Sequence, residues 1–356
     1  MNATKQLHDL GQSLWLDNIT RSLVSDGTLQ RYIDVLTVTG LTSNPTIFDQ
    51  AIKESSSYDA DIRRLAQAGK AADAIFFDLA LADLVRAADL LRPAYDASQA
   101  VDGYVSLEVS PELVDDDAGT RAEALRLHGL AQRPNLMIKI PGTAAGIVAI
   151  EDAIFAGVPI NVTLLFSCEH YLAAAEAYLR GLERRLAAGL RLNVASVASL
   201  FISRWDRAVV GKTPAELQNR LGIAVGRQTY KAYRDLLASP RWQTLAAAGA
   251  QPQRLLWAST GTKDPAIRDT LYVEALAAPD TVNTIPEKTL LAFADHGAVS
   301  GVMPLNGGDA ETVLAAYGQH GIDLAALAAT LQDEGAAAFK QSWSELMARI
   351  KTKAAA

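Results

Sequence analysis

The 356-residue chain carries 33 Lys and Arg against 40 Asp and Glu, a formal charge of −7, and 49% of its residues are hydrophobic. That balance buries a large core beneath a solvated surface, and its scattered basic residues form no dense patch to neutralise phosphate backbones, which excludes nucleic acid as the expected partner. The single cysteine, Cys168, allows no intramolecular disulfide. No signal-peptide apolar region follows the start MNATKQLHDLGQSLWLDN, and no uninterrupted apolar run nears the roughly 18 residues of a membrane span, so the chain is expected to be cytoplasmic and free of membrane.

In chain order, short apolar runs recur with helix-like sequence between them. They are LWLDN from Leu14, GLTSNP from Gly40, YVSLEV from Tyr104 and NLMIKIP from Asn135, then PINVTLLF from Pro159, LNVASVASLFIS from Leu192, RLLWAST from Arg254 and TVNTIPE from Thr281. Intervening Ala-, Leu- and Arg-rich stretches, among them Ala71 to Leu91, Thr143 to Phe155, Glu169 to Leu186 and Glu216 to Leu237, space their apolar residues as helices do. Strands alternating with helices predict parallel βαβ units. An open doubly wound sheet also alternates in this way, but it carries a Gly-rich phosphate loop after an early strand, and none is present. The expected fold is therefore α/β, a closed (β/α)8 TIM barrel over residues 1–306, with additional helices in the long intervals between strands two and three and between strands six and seven. From Gly307 the pattern is helical, which predicts a C-terminal extension over 307–356 packed on the barrel within a single domain.

Lys139 is the most informative residue, because it lies inside LMIKI with apolar neighbours on both sides. Desolvation favours a neutral amine, the form that attacks carbonyls. Active sites of such barrels sit at the C-terminal ends of the strands, and Lys139 is near the end of strand four. A lysine snorkelling from a strand end, or paired with a buried acid, explains the same pattern equally well. Asp17 holds the matching place in strand one, although an Asp before a helix commonly caps it. In VSLEVS, Ser106, Glu108 and Ser110 share one face, and because barrel strands have no solvated face Glu108 points into the barrel or at its rim. Asn44 before Pro45 reads as a turn, and Thr42 and Thr163 as ordinary strand residues. Arg204 and Lys263 follow strands six and seven, with Ser199 and Ser259 close in sequence. Such a pair of cations suits a phosphate, although solvated rim charges are the commoner explanation. The five histidines, His8, His128, His170, His296 and His320, form no metal-binding spacing, and there is no nucleophile elbow or Walker loop. Cys168 and His170 are expected to open a helix as structural residues.

At these residues the chain resembles the transaldolases, in particular their longer bacterial subgroup, from about Leu14 to the C-terminal helices. The matching blocks are WLDNITR, GLTSNPTIF, VSLEVSPEL, MIKIPGT, GVPINVTLLFS, VASLFISRWD and ASTGTKD, in family order. The resemblance implies a class I mechanism in which Lys139 forms a Schiff base with the C2 ketone of a sugar phosphate. It makes Asp17 the acid/base at the C4 hydroxyl, and Glu108 the proton carrier that works through a water held with Thr163. Thr42, Asn44, Asn161 and Ser199 would orient donor hydroxyls, Phe201 would line the pocket, and Arg204 would bind phosphate. Lys263 stands where many relatives carry arginine and would be the second phosphate ligand. No metal or organic cofactor is implied, because the protonated imine is itself the electron sink, and the enzyme would work as a monomer or homodimer. The implied reaction moves dihydroxyacetone from sedoheptulose 7-phosphate or fructose 6-phosphate to glyceraldehyde 3-phosphate or erythrose 4-phosphate, in the non-oxidative pentose phosphate exchange. The alternative within the family is a Schiff-base sugar-phosphate aldolase, a lyase with a shorter barrel and a tyrosine in the place of Phe201. A barrel that only binds sugar phosphates has no reason to keep Lys139, Asp17 and Glu108 together.

Overall fold

The computed structural model describes residues 2–262, 264 and 266–355. Eight strands, β1 (Gln12–Asp17), β2 (Val38–Thr42), β3 (Val105–Glu108), β4 (Leu136–Pro141), β5 (Ile160–Leu165), β6 (Ser196–Phe201), β7 (Arg254–Ala258) and β8 (Thr281–Ile285), pair in sequence order, and β8 closes on β1. Every neighbouring pair is parallel. The fold is the expected (β/α)8 barrel. The two long intervals hold additional helices, Pro45–Glu54, Asp59–Gln67 and Ala72–Ala97 before β3, and Ser203–Ala208, Leu221–Ala238 and Pro240–Ala247 before β7, and the β1–β2 interval holds two as well, Arg21–Ser25 and Thr28–Leu36.

Two local features depart from the sequence pattern. A helix, Ala3–Asp9, precedes β1 where the sparse apolar periodicity predicts none; the Asn2 side chain starts it by accepting from Thr4 N–H, and Leu7 anchors it in the core. The apolar run from Leu192 becomes strand only at Ser196, where pairing with Ile160 begins. Leu192 and Val194 are buried as core residues without joining the ladder.

Strand alternation decides which side chains enter the barrel. Asn161 on β5 donates to Ser106 on β3 at 3.0 Å, and Arg254 on β7 donates to Ser13 on β1 at 2.8 Å. Neither pair of strands is adjacent, so both bonds cross the interior. Side chains in step with these, Trp15 and Asp17 on β1, Glu108 on β3 and Thr163 on β5, face inward as well, while Leu14, Leu16 and Leu107 between them join the apolar core. Trp15 fills so much of the interior that a Cβ on Gly40 would lie 2.4 Å from its ring, which accounts for the glycine within β2. After β8 come the helices Glu287–His296, Ala310–Gln319 and Leu324–Ala355. The last of these reaches across the end where the strands finish. Gln332 donates to the carbonyls of Gly142 and Leu164, and farther along Arg349 and Lys353 pair with Asp49 and Asp59 beyond β2.

Candidate active site

Sheet register brings the polar strand ends side by side. Glu108 is level with Lys139, and Lys139 with Asn161. Lys139 Nζ lies 3.2 Å from Glu108 Oε2 and donates to the Ser43 carbonyl at 3.2 Å, and each residue of this ion pair is only 5% exposed. At the end of β1, Asp17 is level with Thr42, whose hydroxyl donates to Asp17 Oδ1 at 2.8 Å. Thr42 has one proton to give, so in its 2.5 Å contact with Thr284 it accepts. Thr284 thus points Thr42 at Asp17. Ser199 donates to Asn161 Oδ1 at 2.7 Å, which turns the Asn161 amide toward Ser106.

Asp17 is not a helix cap. The following helix, Arg21–Ser25, is capped by Thr20, whose hydroxyl accepts from Leu23 N–H at 3.0 Å. Half-buried Asp17 faces a cavity of about 380 Å³ whose lining includes Lys139, Thr163, Ser199, Phe201 and Arg204. Burial raises the Asp17 carboxyl above its ordinary value, and the Lys139 charge and the Thr42 bond pull it back. Burial raises Glu108 too, with Lys139 opposing and the Asp17 charge adding to the rise. Neither Glu108 oxygen accepts a well-formed hydrogen bond among the described residues, although Oε2 is in ion-pair contact with Lys139, and the buried Thr163 hydroxyl has no partner either. Buried polar atoms left in this way mark a place where a small polar molecule fits.

Asn44 does cap a helix: its Oδ1 accepts from Ile47 N–H at 3.0 Å, at the start of Pro45–Glu54. It also borders the cavity, and its amide nitrogen makes no bond among the described residues, so cap and ligand donor coexist in one side chain. Arg204 is half-buried, with its guanidinium carbon 5.2 Å from the Phe201 ring centre and 5.9 Å from that of Phe166. It forms no hydrogen bond or ion pair among the described residues, Glu334 acting on it only at a distance, and burial lowers its proton affinity. A desolvated guanidinium held by aromatic faces is ready for an anion. Lys263 lies outside the described residues.

A sequence profile described as "Transaldolase/Fructose-6-phosphate aldolase" matches residues 14–350, from β1 to the last helix. The chain belongs to this family. It is 46% identical to the transaldolase of Parafrankia sp. over 98% of both chains, and 45% identical to that of Thermobifida fusca over 99% of this chain and 98% of that one. The transaldolase of Thiobacillus denitrificans is 44% identical over 98% of this chain and its own whole length.

At this cavity, three residues escape a reading of the sequence. Thr284 is one of several threonines in a strand, and only its bond to Thr42 singles it out. Lys288, in the first turn of Glu287–His296, reads as a solvated helix charge but borders the same cavity as Arg204. A lysine at a helix start opposes the helix dipole, and that is the one signal available in the sequence. Phe339 belongs to the last helix and looks like a core aromatic, yet it too lines the cavity.

Proposed function

We propose that Lys139, Asp17, Glu108 and Thr163 carry transaldolase chemistry in this chain, with Thr42, Asn44, Asn161, Ser199 and Phe201 shaping the donor site. Arg204 binds the phosphate in this reading, and Lys263 is its second ligand. The observation that carries it is Lys139 and Asp17 lining one cavity at the C-terminal end of the barrel, with buried Glu108 3.2 Å from Lys139 Nζ. The Lys139 amine adds to the C2 ketone, and Glu108 passes protons through a water shared with the Thr163 hydroxyl while that oxygen leaves as water, giving an iminium. Asp17 removes the C4 hydroxyl proton, the C3–C4 bond breaks, the electron pair moves into the iminium to form an enamine, and the aldose departs. The enamine attacks an acceptor aldehyde, Asp17 returns its proton to the new hydroxyl, and hydrolysis frees Lys139.

Transfer is favoured over simple cleavage because Phe201 offers no hydroxyl to orient a water against the enamine. Fructose 6-phosphate alone should therefore release about one equivalent of glyceraldehyde 3-phosphate per site and then nearly stop, with turnover restored by erythrose 4-phosphate. Steady cleavage without an acceptor would assign the chain to the aldolase side of the family. A cytoplasmic location belongs to the same reading, and among the described residues no helix is long and apolar enough to cross a membrane.

A further inference from the structure

The 32-residue helix Leu324–Ala355 buries a side chain every three or four residues from Ala328 to Ile350, a single stripe along one face. Gly335 lies in this stripe one turn before Phe339. Glycine weakens a helix interior, but a Cβ here would come within 2.9 Å of Leu164 Cδ2 and 3.2 Å of Arg204 Nη1, so a larger residue would have to displace the tips of those side chains. On the same side Gln332 donates to the Gly142 and Leu164 carbonyls at 3.2 and 2.8 Å, just past Lys139 on β4 and at the end of β5. On the other side of Phe339, Thr46 and Ser342 share a 2.8 Å hydroxyl bond, and Trp343 packs edge-on against Phe76 with ring centres 5.0 Å apart. Between these ties Phe339 is 6% exposed, borders the cavity and sets its ring 5.6 Å from Lys139 Nζ, within reach of a cation–π attraction.

We infer that Phe339, delivered by the C-terminal helix, is a residue of the reaction site whose ring face stabilises the iminium on Lys139. The inference rests on Lys139 forming the Schiff base. The iminium keeps, on the nitrogen that the ring faces, the positive charge of the resting ammonium, whereas the neutral amine that attacks, the carbinolamine and the enamine carry none there. The ring quadrupole therefore favours the iminium over all three, and more strongly because water is largely excluded. The same ring shields the adduct from solvent. An aromatic serving only the core would have no reason to face the reacting nitrogen.

Borohydride reduces the iminium but not the enamine, so the rate of inactivation at saturating fructose 6-phosphate reads its population. Phe339→Leu keeps an apolar cover and loses the ring face; capture should slow by roughly three- to thirtyfold, while the melting temperature stays near native. Phe339→Ala removes the cover as well, and acceptor-free release of dihydroxyacetone should rise. If Phe339→Leu does not fold, pentafluorophenylalanine in place of Phe339 keeps the ring's size and reverses its electrostatics, and the same slowing is expected. Capture at the native rate in either folded variant overturns the inference. Absence of capture in the native protein would instead overturn the Schiff-base reading beneath it.

Discussion

The two ends of the barrel bury charge in opposite ways. At the N-terminal end, Asp102 takes hydrogen bonds from the Ser13 hydroxyl, from Trp15 Nε1 at 2.8 Å and from Gly103 N–H at 2.9 Å. Arg254 there donates to Ser13 Oγ at 2.8 Å and to the Thr281 carbonyl at 2.7 Å. Every charge in that cluster is held by fixed partners, and it ties β1, β7, β8 and the approach to β3 into one unit. At the C-terminal end, among the described residues, Glu108 and Thr163 keep polar atoms without protein hydrogen bonds, Arg204 packs against aromatic faces without a hydrogen bond or ion pair, and Asp17 looks into a cavity. A satisfied buried network rigidifies a fold, and an unsatisfied one is costly unless a ligand completes it. On the proposed assignment the first arrangement serves stability and the second chemistry, the division of labour expected of the two faces of such barrels.

Single substitutions can break this contrast. Asp17→Asn should have the largest effect, a loss of roughly 10²–10⁴-fold in kcat with an unchanged melting temperature, because Thr20 caps the next helix and an Asn oxygen still accepts from Thr42. Near-native turnover in the folded variant would return Asp17 to a structural role. Asp102→Ala should do the converse, costing about 3–5 kcal/mol in urea denaturation while the surviving folded protein turns over normally. A large drop in its kcat would show that the two ends are not independent.

Arg204→Ala comes next. It should raise KM for phosphorylated donors by roughly ten- to a hundredfold and leave the use of free dihydroxyacetone nearly unchanged; an equal loss with both substrates would remove its phosphate role. The smallest effect is expected from titration of Glu108. Burial raises its carboxyl in the folded protein, so it keeps its proton to higher pH than in the unfolded chain. The stability it contributes is complete below the unfolded value of about 4.3 and is lost as pH rises through the folded one. The stability difference between native protein and Glu108→Gln should therefore move toward the variant as pH rises above about 4. A flat difference across that range would mean that Lys139 compensates the burial completely.

Much of this was legible in the sequence because two periodicities do most of the placing. The period of two in VSLEVS puts Ser106 and Glu108 on one face, and barrel closure turns that face inward. Likewise the apolar frame of LMIKI marks Lys139 as buried before any contact is known. What escaped depends on three-dimensional pairing. Thr20 and Asp17 are both capable caps three residues apart, and the backbone at Arg21–Ser25 selects Thr20. Asp102, Ser13 and Arg254 are scattered over more than two hundred residues and meet only when β7 and β8 close the ring. Phe339 obeys the helical stripe of its own segment, so nothing local distinguishes it from Trp343 or Leu346, and only the path of the helix over the barrel mouth brings it to Lys139. Helix Ala3–Asp9 is too short and polar to stand out from its sequence, and its packing makes it visible.

The central claim is that Lys139 is the nucleophile of this site. It is tested most directly by reducing the protein with borohydride in the presence of fructose 6-phosphate and locating the added mass by peptide mass spectrometry. The expected result is a single reduced dihydroxyacetone unit on the peptide containing Lys139, absent when the sugar is omitted. A protein that turns over normally yet carries no adduct, or carries it on another lysine, would contradict the assignment of Lys139 and the division between the two barrel ends built on it.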